Sequence, residues 1–177
     1  MSVFETERLV MRPWREDDAE SLYKYASDPD VGPAAGWPVH TSVEDSLRVL
    51  REVLIEDKTW AVTIKPSDEP VGSIGVFRTD APNGNGAPEI GYWIGKPFWG
   101  CGYIPEAVRA LIDRCFNDGA ESVWCSHFAG NDKSRRVIEK CGFKFAVSMT
   151  VRAALLDDMP EYETLYYKIT REEWQHD

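Results

Sequence analysis

Apolar side chains recur along this chain with two periods, and the switches between them mark its elements. Leu9-Val10-Met11-Arg12-Pro13-Trp14 reads as a first strand, ended by Pro13, which cannot continue a central ladder. Ala19, Leu22, Tyr23 and Ala26 fall on one helical face behind Asp17 or Asp18, either of which can cap it, and Asp28-Pro29-Asp30 stops that helix. Between Val31 and His40 two Gly, two Pro and Trp37 break the period, so this stretch is a loop. Thr41 or Ser42 then caps a second helix, with Val43, Leu47, Leu50 and Leu54 at helical spacing. Three β-branched or aromatic runs follow: Trp60 to Ile64, Val71 to Phe77 and Glu89 to Ile94. Turn chemistry separates them at Pro66-Ser67-Asp68 and Pro82-Asn83-Gly84-Asn85-Gly86.

Pro105 suits the first turn of a third helix, whose face of Val108, Leu111, Ile112, Cys115 and Phe116 keeps the helical period until Asn117-Asp118-Gly119. Ser122 to Phe128 is another strand. Asn131 caps a fourth helix with Val137, Ile138 and Cys141 inward and Gly142 as the residue that ends it. Phe143 to Arg152 and Tyr162 to Ile169 are the last strands, joined by a turn at Leu155 to Pro160. The order βααβββαβαββ is a mixed α/β (α+β) pattern in which the sheet carries the weight, with about four helices around it. No repeat, low-complexity stretch or linker interrupts it, so residues 1–177 are expected to form a single domain.

Composition narrows the function classes. A chain of 177 residues, 43% hydrophobic and 28% charged, is long enough to bury a core without staples. A net charge of −10 disfavours nucleic-acid binding, which needs phosphate-neutralising Lys and Arg, and it would attract a cationic acceptor. No apolar run approaches the roughly 20 residues a membrane helix needs, and Met1 to Arg8 shows no signal-peptide architecture, so the expected location is cytoplasmic. Cys101, Cys115, Cys125 and Cys141 form no CxxC and have no His at zinc spacing, so no metal site is expected. Cys115 and Cys141 lie on apolar helix faces, where a thiol packs as a small hydrophobe.

The chemistry concentrates at Ile94-Gly95-Lys96-Pro97-Phe98-Trp99-Gly100-Cys101-Gly102-Tyr103, which links a strand to a helix start. Gly100 and Gly102 leave backbone N–H groups unshielded beside the positive end of a helix dipole, an arrangement suited to a pyrophosphate. Taken alone, the two glycines serve a tight turn equally well. A P-loop needs Lys-Ser/Thr after its glycines, and a dinucleotide fold needs a third Gly; neither is present.

Three stretches in order add specificity: Pro88-Glu89-Ile90-Gly91-Tyr92-Trp93-Ile94, Trp99-Gly100-Cys101-Gly102-Tyr103-Ile104-Pro105-Glu106-Ala107, and Asn131 through Phe143. Together they resemble the GNAT acetyltransferase superfamily, specifically its RimJ/RimL-like branch, with patterns near EIGYW, WGxGY…EA and NxxSxxxxEKxGF. Thr6-Glu7-Arg8-Leu9 and Glu172-Glu173-Trp174 resemble that branch too, so the likeness spans essentially the whole chain. It implies a mostly antiparallel twisted sheet, splayed between two strands, with acetyl-CoA in the cleft as co-substrate. Trp93 and Ile94, with Tyr92 beside them, would lend backbone groups to the pantetheine and acetyl carbonyl. Amides of Trp99, Gly100, Cys101, Gly102, Tyr103 and Ile104 would hold the pyrophosphate, and Asn131 and Ser134 would also contact the cofactor. The wider superfamily often has Arg or Gln where Trp99 stands; in this branch Trp is usual.

Acetyl transfer to an amine needs a neutral nucleophile and a proton for the departing thiolate. An alkylammonium has a pKa near 10, so a base must take its proton, directly or through water. Glu89, at the start of the strand leading into the acetyl site, is the first candidate; a strand-edge acid in water is the alternative, and register decides. His127 is the second candidate, by its intrinsic pKa. Ser134 is the motif-borne proton donor to sulfur, with Tyr166 and Tyr167 as alternatives. His40 lies in the loop that in this fold borders the acceptor site, and His176 is terminal. Cys101 sits at the variable loop position and is rejected as a nucleophile. The sequence thus predicts an amine N-acetyltransferase acting by direct attack in a ternary complex. The alternatives are a noncatalytic acyl-CoA-binding or regulatory domain and an interaction protein with a nucleotide-like anion site. It identifies neither the amine nor the oligomeric state, a homodimer included.

Overall fold

The computed structural model describes residues 2–55, 59–156 and 158–175. Its strands are β1 (Phe4–Glu5), β2 (Leu9–Pro13), β3 (Thr59–Ile64), β4 (Pro70–Arg78), β5 (Pro88–Ile94), β6 (Ser122–Phe128), β7 (Lys144–Arg152) and β8 (Glu161–Thr170). Its helices are α1 (Ala19–Ala26), α2 (Val43–Val49), α3 (Tyr103–Asn117), α4 (Asp132–Lys140) and α5 (Arg171–Gln175). The strands run in the order β1-β2-β3-β4-β5-β6-β8-β7. The β1–β2, β2–β3, β3–β4, β6–β8 and β7–β8 pairs are antiparallel and β5–β6 is parallel. The chain divides into two compact units, Met1–Gly75 with Tyr92–Ala107 and Val76–Gly91 with Val108–Asp177.

In the first unit, Ala19, Leu22 and Ala26 of α1 are buried with Leu50, which follows α2, and with Trp14 and Ala61, and Trp37 and Trp93 pack against them. Ser42 caps α2 as the sequence allows, its Oγ accepting from the Asp45 amide at 3.1 Å. Asp18 does not cap α1 with its side chain. Both carboxylate oxygens go to the buried Arg12 guanidinium at 2.7 and 2.8 Å, and one also takes the Arg15 amide. The expected second helix continues past Val49 as a wider turn over Leu50–Leu54, closed by Ile55 N to Leu50 O at 3.0 Å.

In the second unit, the predicted face of α3 is buried from Val108 to Phe116. Gly142 adopts φ +82°, with its amide on Glu139 O and the Phe143 amide on Ile138 O, so α4 ends in a glycine cap. One helix is additional to the expected four. Thr170 and Glu173 exchange reciprocal bonds, Glu173 N to Thr170 Oγ1 at 3.3 Å and Thr170 N to Glu173 Oε2 at 2.9 Å, and that capping box starts α5. A Lys144 ammonium 2.8 Å away and the Thr170 bonds push the Glu173 carboxyl down to about 2.

Candidate active site

The two units carry different parts of the predicted site. In the first, β5 ends against β4. The Gly95 amide donates to Val71 O at 2.8 Å, and a Cβ on Gly72 would lie 2.4 Å from Trp93 O and 2.9 Å from Ile94 Cα. Gly72 is therefore empty of side chain because the end of β5 occupies its place. Backbone groups alternate direction along a strand, so Trp93 faces β4 with Gly95, while the groups of Tyr92 and Ile94 point the other way. Of the two residues expected to offer backbone groups, Trp93 turns its own toward β4 and Ile94 turns its own away from it. The Ile94 carbonyl accepts from the Trp99 indole at 2.9 Å, which fixes Trp99 at the head of the loop. The Trp93 side chain stacks beside Trp14 at 6.4 Å and meets Trp37 edge-on at 5.6 Å.

Gly100 and Gly102 have φ +78° and +81°, a conformation that side chains resist. A Cβ at Gly100 would meet nothing within 4 Å, so the backbone there is open to approach; one at Gly102 would meet Arg8 Nη2 at 3.5 Å. The ladder of α3 opens with Glu106 N on Gly102 O, which leaves the Tyr103 and Ile104 amides ahead of it, at the positive end of the dipole. Cys101 is exposed, as expected of the variable loop position. The sequence did not single out Thr6, Arg8 and Glu106 as one cluster. Glu106 accepts from Thr6 Oγ1 at 2.5 Å, the Arg8 amide at 2.9 Å and Arg8 Nε at 2.6 Å. The Thr-Glu-Arg and Glu-Ala motifs are partners across a hundred residues, and only spatial proximity reveals it.

In the second unit, β5 and β6 share one register pair, Glu89 with Trp124. The Ile90 carbonyl accepts from the Cys125 thiol at 3.2 Å. Glu89 is half-buried, and Ser126 Oγ donates to its Oε1 at 2.6 Å. Burial pushes this carboxyl above the ordinary range; bonds from Ser126 and Thr79 oppose the rise, and the Asp80 charge adds to it. Tyr166 lies opposite Ser126 on β8, its phenol pushed up to about 12 by burial and by Glu89 and Asp80.

His127 follows Ser126 and therefore points to the opposite face of the sheet, so the structure does not bring the two candidate bases together. Its Nδ1 lies 2.9 Å from Phe128 O and its Nε2 3.3 Å from the Tyr167 hydroxyl. A carbonyl only accepts, so in the neutral ring Nδ1 carries the hydrogen and Nε2 accepts from Tyr167. Asn131 caps α4, its Oδ1 taking the Ser134 amide at 3.1 Å, which sets Ser134 in the first turn. His40, in the first unit, is buried with Nδ1 2.8 Å from Ser46 Oγ, and burial lowers its pKa. His176 lies outside the described residues. The buried thiols of Cys115 and Cys141 are each pushed up to about 11 by burial, which suits packing and not reactivity. Among the described residues no group of three or more His, Cys, Asp or Glu could hold a metal ion, and no helix is long and apolar enough to cross a membrane.

A strand leading through a two-glycine turn into a helix, in a chain with a mixed sheet, defines an α/β protein. The chain belongs to the GNAT acetyltransferase family: residues 8–144 match the acetyltransferase (GNAT) domain. It is 34% identical over 121 residues to N-acetyltransferase p20 of Bacillus licheniformis, itself uncharacterized, covering 66% of this chain and 67% of that protein. It is also 34% identical over 105 residues to YdaF of Bacillus subtilis, provisionally named a ribosomal N-acetyltransferase, covering 59% and 55%. A GNAT-family acetyltransferase from Bacillus anthracis shares the fold with a TM-score of 0.80 at 22% identity, covering 97% of this chain and 99% of that one. The protein is an N-acetyltransferase of this family, whose reaction moves an acetyl group from acetyl-CoA to an amine.

Proposed function

We propose that the chain, as one N-acetyltransferase domain over residues 1–177, acetylates a primary amine by direct attack in a ternary complex, with Glu89 as the base. The observation that carries this is the Glu89 carboxyl, held by Ser126 at 2.6 Å and raised in pKa by burial, a stronger base than a solvated carboxylate. The order of the three motifs and the likeness to YdaF support the RimJ/RimL-like branch. A protein N-terminus is therefore the first acceptor to test, with small amines beside it.

The glycine turn fits the anionic part of acetyl-CoA, because open space faces Gly100 and two amides precede the α3 ladder. When bound, acetyl-CoA supplies a thioester-activated acetyl group and a thiol leaving group. Amides between Trp99 and Ile104 hold the phosphates, and the outward backbone groups of Tyr92 and Ile94 align the chain that follows. Asn131 shapes the first turn of α4, from which Ser134 gives a proton to the departing sulfur and regains one from water, while Glu89 returns its proton to solvent; Tyr166 and Tyr167 are the alternative donors. Glu89 removes the ammonium proton, directly or through water, and so frees the nitrogen lone pair. His127 supports its own strand and Tyr167. The proposed reaction needs no metal, since the thioester is already activated, and we place the protein in the cytoplasm.

Kinetics with acetyl-CoA and an amine tests the base. Glu89→Gln should lower turnover on a protonated amine by about 10²-fold and leave CoA affinity nearly intact. Part of the rate should return as the pH rises and more acceptor is neutral. If His127→Ala shows that pattern and Glu89→Gln does not, the base is His127.

A further inference from the structure

The N-terminal segment reaches the glycine turn through the Arg8 side chain. Arg8 donates from Nε to Glu106 Oε2 at 2.6 Å and from Nη1 to Cys101 O at 3.1 Å. Its guanidinium lies 4.6 Å from the centroid of the Tyr103 ring, and Nη2 would lie 3.5 Å from a side-chain carbon at Gly102, in ordinary contact. We propose that Arg8 is a positioning residue for the cofactor turn, which aims the Gly102 amide and neutralises Glu106 beside the anion site. The inference rests on the reading of that turn as the pyrophosphate site.

Two physical arguments support it. A trans peptide is planar, with its C=O and N–H pointing in opposite directions. Fixing the Cys101 carbonyl on Arg8 therefore turns the Gly102 N–H to the side away from Arg8, and it removes a carbonyl oxygen that would repel a phosphate. Glu106 poses the second problem. A carboxylate in the first turn complements the helix dipole, yet it also places a negative charge where two phosphate charges must arrive. Burial works against ionisation, but bonds from Thr6, the Arg8 amide and the Arg8 guanidinium together hold this carboxyl below its usual range, so it is charged. The guanidinium stands against that charge with one nitrogen and against the turn with another. A planar fork can serve a carboxylate and a carbonyl at once, which a Lys ammonium on the same stem cannot.

Calorimetric binding of CoA and of dephospho-CoA, which retains the pyrophosphate, tests the proposal on folded variants checked by melting temperature. Arg8→Met should weaken both ligands roughly tenfold, and less at high salt, where the Glu106 charge is screened. Arg8→Lys should fall between, and it provides the reading should Arg8→Met fold poorly. Adding Glu106→Gln to Arg8→Met should restore at least about threefold, because Gln still accepts from Thr6 and the residue 8 amide and carries no charge. A pair that only stabilises the fold would show no such recovery. Unchanged binding in Arg8→Met, or a double variant no better than the single, overturns the proposal. If Gly100→Val loses CoA while Arg8→Met keeps it, only the role of Arg8 falls. If the wild-type protein binds neither ligand, the turn is not the pyrophosphate site and both readings fall.

Discussion

Glu89 is pulled two ways. Burial that makes its carboxylate a better base also makes the charged form costly, so catalysis and stability should separate on substitution. The native state binds the proton more tightly than the unfolded chain. The stability that Glu89 contributes is therefore fully present below the unfolded carboxylate pKa and is lost as the pH rises through the raised native value. Glu89→Gln keeps an oxygen for Ser126 and carries no charge. Scanning calorimetry should find it melting at or above wild type at pH 7, with a smaller gain at pH 4; a loss that grows with pH would contradict the assignment. Gly100 offers a second test at this scale. Its φ of +78° and the open space before it mean that Gly100→Val should strain the turn and block its approach. CoA affinity should fall at least about tenfold, or about 1.4 kcal/mol, and unchanged calorimetric binding would count against the turn. The strand that carries Glu89 and the conformation of the two-glycine turn were legible in the sequence, because a β-branched run and the glycines mark them. Ser126 and Arg8 were not: their partners lie 37 and 98 residues away, and nothing local marks either pairing.

Elements were legible where one period ran unbroken. The face of α3 followed from Val108, Leu111, Ile112, Cys115 and Phe116, and Asn131 and Gly142 bracketed α4. α5 is too short for a period, although Thr170-x-x-Glu173 is a capping-box signal that could have found it. Asp18 misled for a different reason. A helix-capping residue type proved to be the counter-ion of Arg12, which lies in a strand and is 3% exposed, a burial that the sequence does not announce. Removing one partner of a buried pair leaves a charge without compensation. Asp18→Ala should therefore destabilise by about 3–5 kcal/mol in urea unfolding. Asp68→Ala, at the exposed end of the same network, should cost about 1 kcal/mol or less. Equal losses would show that Asp18 is not the principal partner. Gly72 carries a similar constraint between strands. Gly72→Ala should cost about 1–3 kcal/mol, because the added carbon meets backbone of β5, and it should weaken CoA binding through the displaced Ile94.

At the scale of the whole molecule, the order from β2 to β8 could be read, without β1 (Phe4–Glu5) and α5, and so could the family, from three motifs in sequence. The position of β8 between β6 and β7 could not, because a hydrophobic period identifies a strand without naming its neighbours. A parting between two strands was expected from the resemblance and not from any residue pattern; β5 and β6 share the Glu89–Trp124 register pair. Family membership and the negative net charge of −10 are both consistent with a cationic acceptor, but a protein with this fold could also bind acyl-CoA without turning it over. The most direct measurement is quantitative: thiol release from acetyl-CoA and acetylated product by mass spectrometry, across a panel of small amines and N-terminal peptides. The account predicts equal amounts of free CoA and acetylated amine for at least one acceptor, lost together in Glu89→Gln. Calorimetric binding of CoA with no thiol released for any acceptor would contradict it and leave a binding module in its place.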